Sequence, residues 1–140
     1  MGTIRSYKDL EVWQSGMNLA TDVYRLTREM PRQEEYRLSA QLIRATASVP
    51  ANIAEGFMRG TRKDYAHFVS IARGSLAETE TFLLLVQRLE LVSGPKLERA
   101  LVQASRVGQM LAKLRQRLVT PATTARNVSP DNRIPKTESP

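Results

Sequence analysis

The chain has 140 residues, 41% of them hydrophobic and 25% charged, which fits one globular domain and excludes a chain disordered throughout. Twenty-one Lys and Arg against fourteen Asp and Glu give a net charge of +7, so a polyanionic partner is the first expectation. The sequence contains no cysteine and a single histidine, His67, which excludes disulfides, thiolate metal sites, cysteine nucleophiles and His-rich metal sites.

Four helices are expected, in chain order. The first spans about residues 9–29 and stops at Met30-Pro31, because the residue before a proline is pushed out of the helical region. A second covers about residues 33–57 with Pro50 inside it and ends around Gly56 and Gly60. Thr61, with Asp64 three residues on, resembles a capping box that opens a third helix reaching about Leu91. Ser93-Gly94-Pro95 is a turn signal, and a fourth helix takes about residues 96–118. Four long helices with short connections predict an all-α, antiparallel, up-down-up-down four-helix bundle over residues 1–118. Residues 119–140 hold four of the seven prolines and few large apolar side chains, and are expected to be a flexible tail. The bundle carries eighteen basic and twelve acidic residues, so most of the net charge belongs to the folded part.

The helix faces carry more than one core requires. On the first helix Leu10, Trp13, Met17, Ala20 and Tyr24 recur at bundle spacing and are expected in the core, with Val12, Leu19, Val23 and Leu26 forming a second stripe beside them. The consecutive Leu83, Leu84 and Leu85 of the third helix point to three sides. This surplus predicts self-association. Leu42, Phe68, Leu76, Leu111 and Leu114 complete the expected core.

On the second helix Gln41, Arg44, Ser48, Asn52, Glu55 and Arg59 make a polar stripe. Ser48 or Asn52 is expected to bond backbone groups freed by Pro50, and Glu55 to pair with Arg59 or with Arg73 of the third helix in a network that sets register. The fourth helix aligns Arg99, Arg106, Lys113 and Arg117 within about 40° of one another over roughly 27 Å, a ridge able to follow a phosphate backbone. Arg59, Arg62 and Lys63 before the third helix form a second basic cluster. A solvated face, or a dock for an acidic protein, is the rival reading of the ridge.

Enzymatic readings find little. One Asp64-x-x-His67 falls short of a di-iron bundle's ligand set, and neither a Walker loop, a dinucleotide fingerprint nor a nucleophile elbow is present. No catalytic residue, metal or cofactor is expected. The longest apolar run, Phe82 to Val86, is far short of the roughly 20 residues of a membrane span, and residues 1–20 lack a signal-peptide apolar centre. A cytoplasmic protein without membrane contact is expected.

The blocks Asp9-Leu10-Glu11-Val12-Trp13, Pro31 with Glu35-Tyr36, Gln41, Arg44, Ser48, Asn52-Ile53-Ala54-Glu55-Gly56 with Arg59, and Ala72-Arg73-Gly74-Ser75-Leu76 with Glu78 occur in an order that resembles a bacterial four-helix-bundle family. That family includes the proteins encoded in intervening sequences of 23S ribosomal RNA genes, and the resemblance covers about residues 7–118. Ile43 departs from the pattern, which leads one to expect a second basic residue beside Arg44. The resemblance implies a homopentameric bundle associated with ribosomal RNA, without enzymatic activity. A branch similar in fold, the accessory proteins of diversity-generating retroelements, implies instead a basic pentamer that binds a reverse transcriptase together with nucleic acid, RNA or DNA.

Overall fold

A computed structural model of the protein describes residues 3–121. Four helices, α1 (Glu11–Thr27), α2 (Leu38–Met58), α3 (Arg62–Arg88) and α4 (Pro95–Val119), account for most of these, and no strand occurs among the described residues. Each helix packs against its two neighbours in a closed ring, α1 on α2 and α4, α3 on α2 and α4, while the backbones of diagonal pairs stay apart. The short connections make neighbours antiparallel, so the protein is an up-down-up-down four-helix bundle. Residues 122–140, on which most of the expected tail falls, lie outside the described residues.

Local chemistry sets the boundaries. A 3-10 helix, Tyr7–Asp9, precedes α1 and is closed by a reciprocal capping box between Ser6 and Asp9, which the sequence reading passed over. The second helix begins at Leu38 and not near Gln33, because Arg32–Glu34 form a separate 3-10 helix behind Pro31 and Arg37 leaves the helical region, with φ −111° and ψ −106°. Gly60 (φ 90°) and Gly94 (φ 96°) turn the chain into α3 and α4 in conformations that disfavour a side chain. Thr61 caps α3 by accepting from the Asp64 amide at 3.1 Å. Glu90, at φ 56°, marks the end of α3 earlier than Leu91.

One stripe of each helix fills the interior. Leu42, Leu76, Leu111 and Leu114 are buried as their spacing predicts. On α1 the expected assignment is largely reversed, although Leu10 just before it is buried as expected. Val12, Gly16, Leu19, Val23 and Leu26 face inward, while Met17 and Tyr24 are 42% and 51% exposed. Gly16 lies on this inward stripe and faces Pro50 of α2, where an added Cβ would make an ordinary contact at 3.5 Å from that of Pro50. Trp13 is only partly buried, packed against the core, and Phe68 is only partly buried.

The tightest helix contact joins α2 to α3. A Cβ on Gly56 would approach the Phe68 Cβ to 2.8 Å and the Tyr65 carbonyl oxygen to 3.2 Å, so the backbones meet there because residue 56 lacks a side chain. The Phe57 and Tyr65 rings stack edge to face beside it, with centroids 6.0 Å apart. Gly56→Ala gains helix propensity but must push α3 away. It is expected to destabilise the fold by about 1–2 kcal/mol net, read as a lower urea midpoint, whereas an unchanged midpoint would show that the two helices separate at no cost.

Candidate nucleic-acid interface

The polar stripe of α2 lies along its border with α3. Ser48 Oγ sits 2.9 Å from Ser75 Oγ, and Asn52 Nδ2 donates both to the Ser48 carbonyl (2.8 Å) and to its hydroxyl (2.9 Å). The carbonyl left without an amide donor by Pro50 is that of Thr46, so these bonds do not mend the proline site. They join two helices, and α2 runs unbroken through Pro50. Arg44 bonds Gln41 at 2.9 Å and reaches Glu78 of α3 at 3.4 Å. Glu55 pairs with Arg59 at 3.1 Å, one turn away, and each side chain is 51% exposed. Arg73 is exposed and outside this network.

The second basic cluster is divided by the fold. Arg59 lies over the Phe68 ring, its guanidinium carbon 4.9 Å from the centroid, and is tied to Glu55. Arg62 is half-buried and donates to the Arg117 carbonyl at the end of α4, satisfying one of the carbonyls a helix terminus leaves open. Lys63 is exposed and makes no ion pair among the described residues.

The ridge on α4 is shortened in the same way. Arg117 is partly buried, while Arg99, Arg106 and Lys113 are exposed and form no ion pair among the described residues. These three, at intervals of seven residues, make a row about 21 Å long at 1.5 Å per residue. Arg115, on the other flank, donates to Ser70 Oγ of α3 at 2.9 Å, and Lys96 pairs with Glu29 at the far end of α1. Helical spacing sets Arg99, Arg106, Lys113 and Arg117 on one face. It could not show which cations are used within the fold, because Arg62 meets a carbonyl and Arg115 a hydroxyl on another helix.

Among the described residues no group of three or more His, Cys, Asp and Glu side chains gathers to hold a metal ion, and no helix is long and apolar enough to cross a membrane. The exposure of the Glu55 pair sets its contribution. Glu55→Ala is expected to change the stability of the fold by under about 1 kcal/mol in urea unfolding, and a loss of about 3 kcal/mol or more would mean that the carboxylate is withdrawn from water.

The bundle is similar to the crystal structure of a protein of unknown function from the S23 ribosomal protein family of Bacteroides thetaiotaomicron, with a TM-score of 0.70 and 24% identity. The match covers 75% of this chain and 98% of that one, and at this identity it speaks for the fold. No curated protein matches the chain. The family model for the 23S rRNA-intervening sequence protein matches residues 8–113, all four helices nearly to the end of α4. The chain therefore belongs to the 23S rRNA-intervening sequence protein family.

Proposed function

We propose that the protein is a non-enzymatic, cytoplasmic homo-oligomer, pentameric by its resemblance, that associates with structured RNA through the basic row of α4. The observation that carries this reading is the line Arg99, Arg106 and Lys113, exposed along one edge of α4 and without an ion pair among the described residues. Such a row meets successive phosphates and reads charge spacing, with little access to base edges. Family membership supplies the choice of RNA. Repetition of the row around an oligomer would multiply the contacts that a single copy makes weakly.

Self-association is supported by what the core leaves outside. Leu84 and Leu85 are 48% and 39% exposed beside buried Leu83, and Ile71 and Leu89 lie on the same helix. Gly74 stands mid-helix with no atom within 4 Å of a built Cβ. A glycine there costs roughly 1 kcal/mol of helix propensity relative to alanine with no compensating contact in the single copy, as expected where another backbone comes close.

Titration against 23S ribosomal RNA fragments at several salt concentrations tests the binding. Affinity is expected to fall steeply with salt, and replacing Arg99, Arg106 and Lys113 together by Glu to lower the magnitude of the log–log slope by about 2–3. If the triple variant binds as the parent does, the row is a solvated face; if neither binds at low salt, it serves an acidic protein or solubility.

A further inference from the structure

The groove between α1 and α2 is an uncharged strip on the outside of the bundle. Tyr24 and Ile43 line a common pocket of about 350 Å³, which puts them on facing flanks of their helices. Met17 and Ala20 precede Tyr24 at helical spacing, and Ala47 and Ala54 follow Ile43 in the same way, so the strip runs on from the pocket along the groove. Met17, Tyr24 and Ala47 are exposed, and a continuous apolar strip of this kind marks a contact surface. Met30 and Pro31 add to the apolar wall of the pocket, which is open on its outer side with Arg28 at its rim.

A surface of matching form lies on α3. Gly74 leaves bare backbone on the outer side of the helix, where a Cβ would meet nothing within 4 Å, and Leu84 and Leu85 are exposed beyond it. Contacts between the helices set the levels. Gly16 faces Pro50 and Ser48 bonds Ser75, so at 1.5 Å per residue Gly74 stands level with Met17, and Leu84 and Leu85, about 15 Å further on, reach the level of the pocket. Glu78 reaches Arg44, so Leu85, seven residues on, lies on the α2 side of α3, while Glu80 and Leu84 lie on its α4 side.

A ring built from one repeated contact joins two different faces of the chain. In a ring of copies with parallel helices, α3 presented to the α1–α2 groove of the next copy sets its α2 side over α2 and its α4 side over α1. Glu80 then comes close to the level of Arg25, with Arg28 one turn on. None of these three side chains has an ion pair among the described residues, so an acid meets two cations where the copies join.

We infer that α3 of one copy seats in the α1–α2 groove of the next, with the bare backbone at Gly74 against Met17, Leu84 and Leu85 at the pocket between Tyr24 and Ile43, and Glu80 beside Arg25 and Arg28. The inference rests on the self-association reading and deepens it by naming the two faces that meet. The α4 row takes no part in the contact.

Because the chain has no cysteine, engineered thiols report this contact directly. A double variant, Ile43→Cys with Thr81→Cys, carries one thiol in the groove and one on the outer side of α3 at nearly the same level. Treated with a short bis-maleimide and run on a denaturing gel, it is expected to give a ladder of linked chains, while each single variant stays at the mass of one chain. Dimers from Thr81→Cys alone would set α3 against α3. That result, or an oligomer by light scattering whose double variant links no chains, would overturn the inference and leave self-association standing. A chain that stays monomeric by light scattering would overturn both. Glu80→Arg is expected to weaken association by about tenfold, and addition of Arg25→Glu and Arg28→Glu to restore it. Undiminished association of Glu80→Arg, or a triple variant as weak as Glu80→Arg alone, would overturn the pairing of these faces.

Discussion

A ring of four helices encloses a single interior, and each helix can commit only one stripe of its circumference to it. This constraint organises the whole molecule. Val12, Leu19, Val23 and Leu26 of α1 occupy the allotted stripe, and Tyr65, Val69, Leu76, Leu83 and Val86 do so on α3. Burying each such side chain contributes about 1.5–3 kcal/mol, so rotating a helix to bring a different stripe inward would be strongly unfavourable. Everything else the helices carry, apolar or basic, is then displayed on the outside at fixed positions. The close passage of α2 over α3 at Gly56 adds the register, and the Ser48–Ser75 contact and the Arg44–Glu78 pair fall along the same border.

Periodicity made much of this legible. The four helices, their order and the line of charge on α4 follow from spacing, since side chains three and four residues apart share a face. Spacing does not say which of two adjacent apolar stripes points inward. On α1 the inward stripe is the one that sets Gly16 against Pro50 of α2, a contact between residues 34 positions apart that local spacing does not reveal. Met17 and Tyr24 consequently belong to the outside. The same long-range character hid the fates of Arg62, which meets a carbonyl 55 residues away, and of Gly56, which reads locally as a helix-end glycine and is a packing requirement.

The exposed surface thus separates into regions of different chemistry. The outer side of α3 and the Met17–Tyr24 side of α1 are apolar or small-residue surfaces that suit protein contact. The α4 edge is cationic and suits phosphate, and the α2 border is a network of short polar bonds within the fold. In the proposed assembly the first two surfaces would be covered by copies of the chain, and the α4 rows would remain outside. Binding strength would then depend on how many rows a single RNA meets, which links the oligomeric state to the function.

That link makes the mass of the protein in solution the most direct measurement. Light scattering across micromolar concentrations, on the parent and on a variant with Leu84 and Leu85 replaced by Glu, tests whether the surplus apolar surface joins copies. The account predicts a mass of five chains for the parent and a smaller species for the variant, with the helical content of both unchanged. A parent that stays monomeric over this range would contradict it; a dimer or tetramer would refute the pentamer while leaving self-association standing.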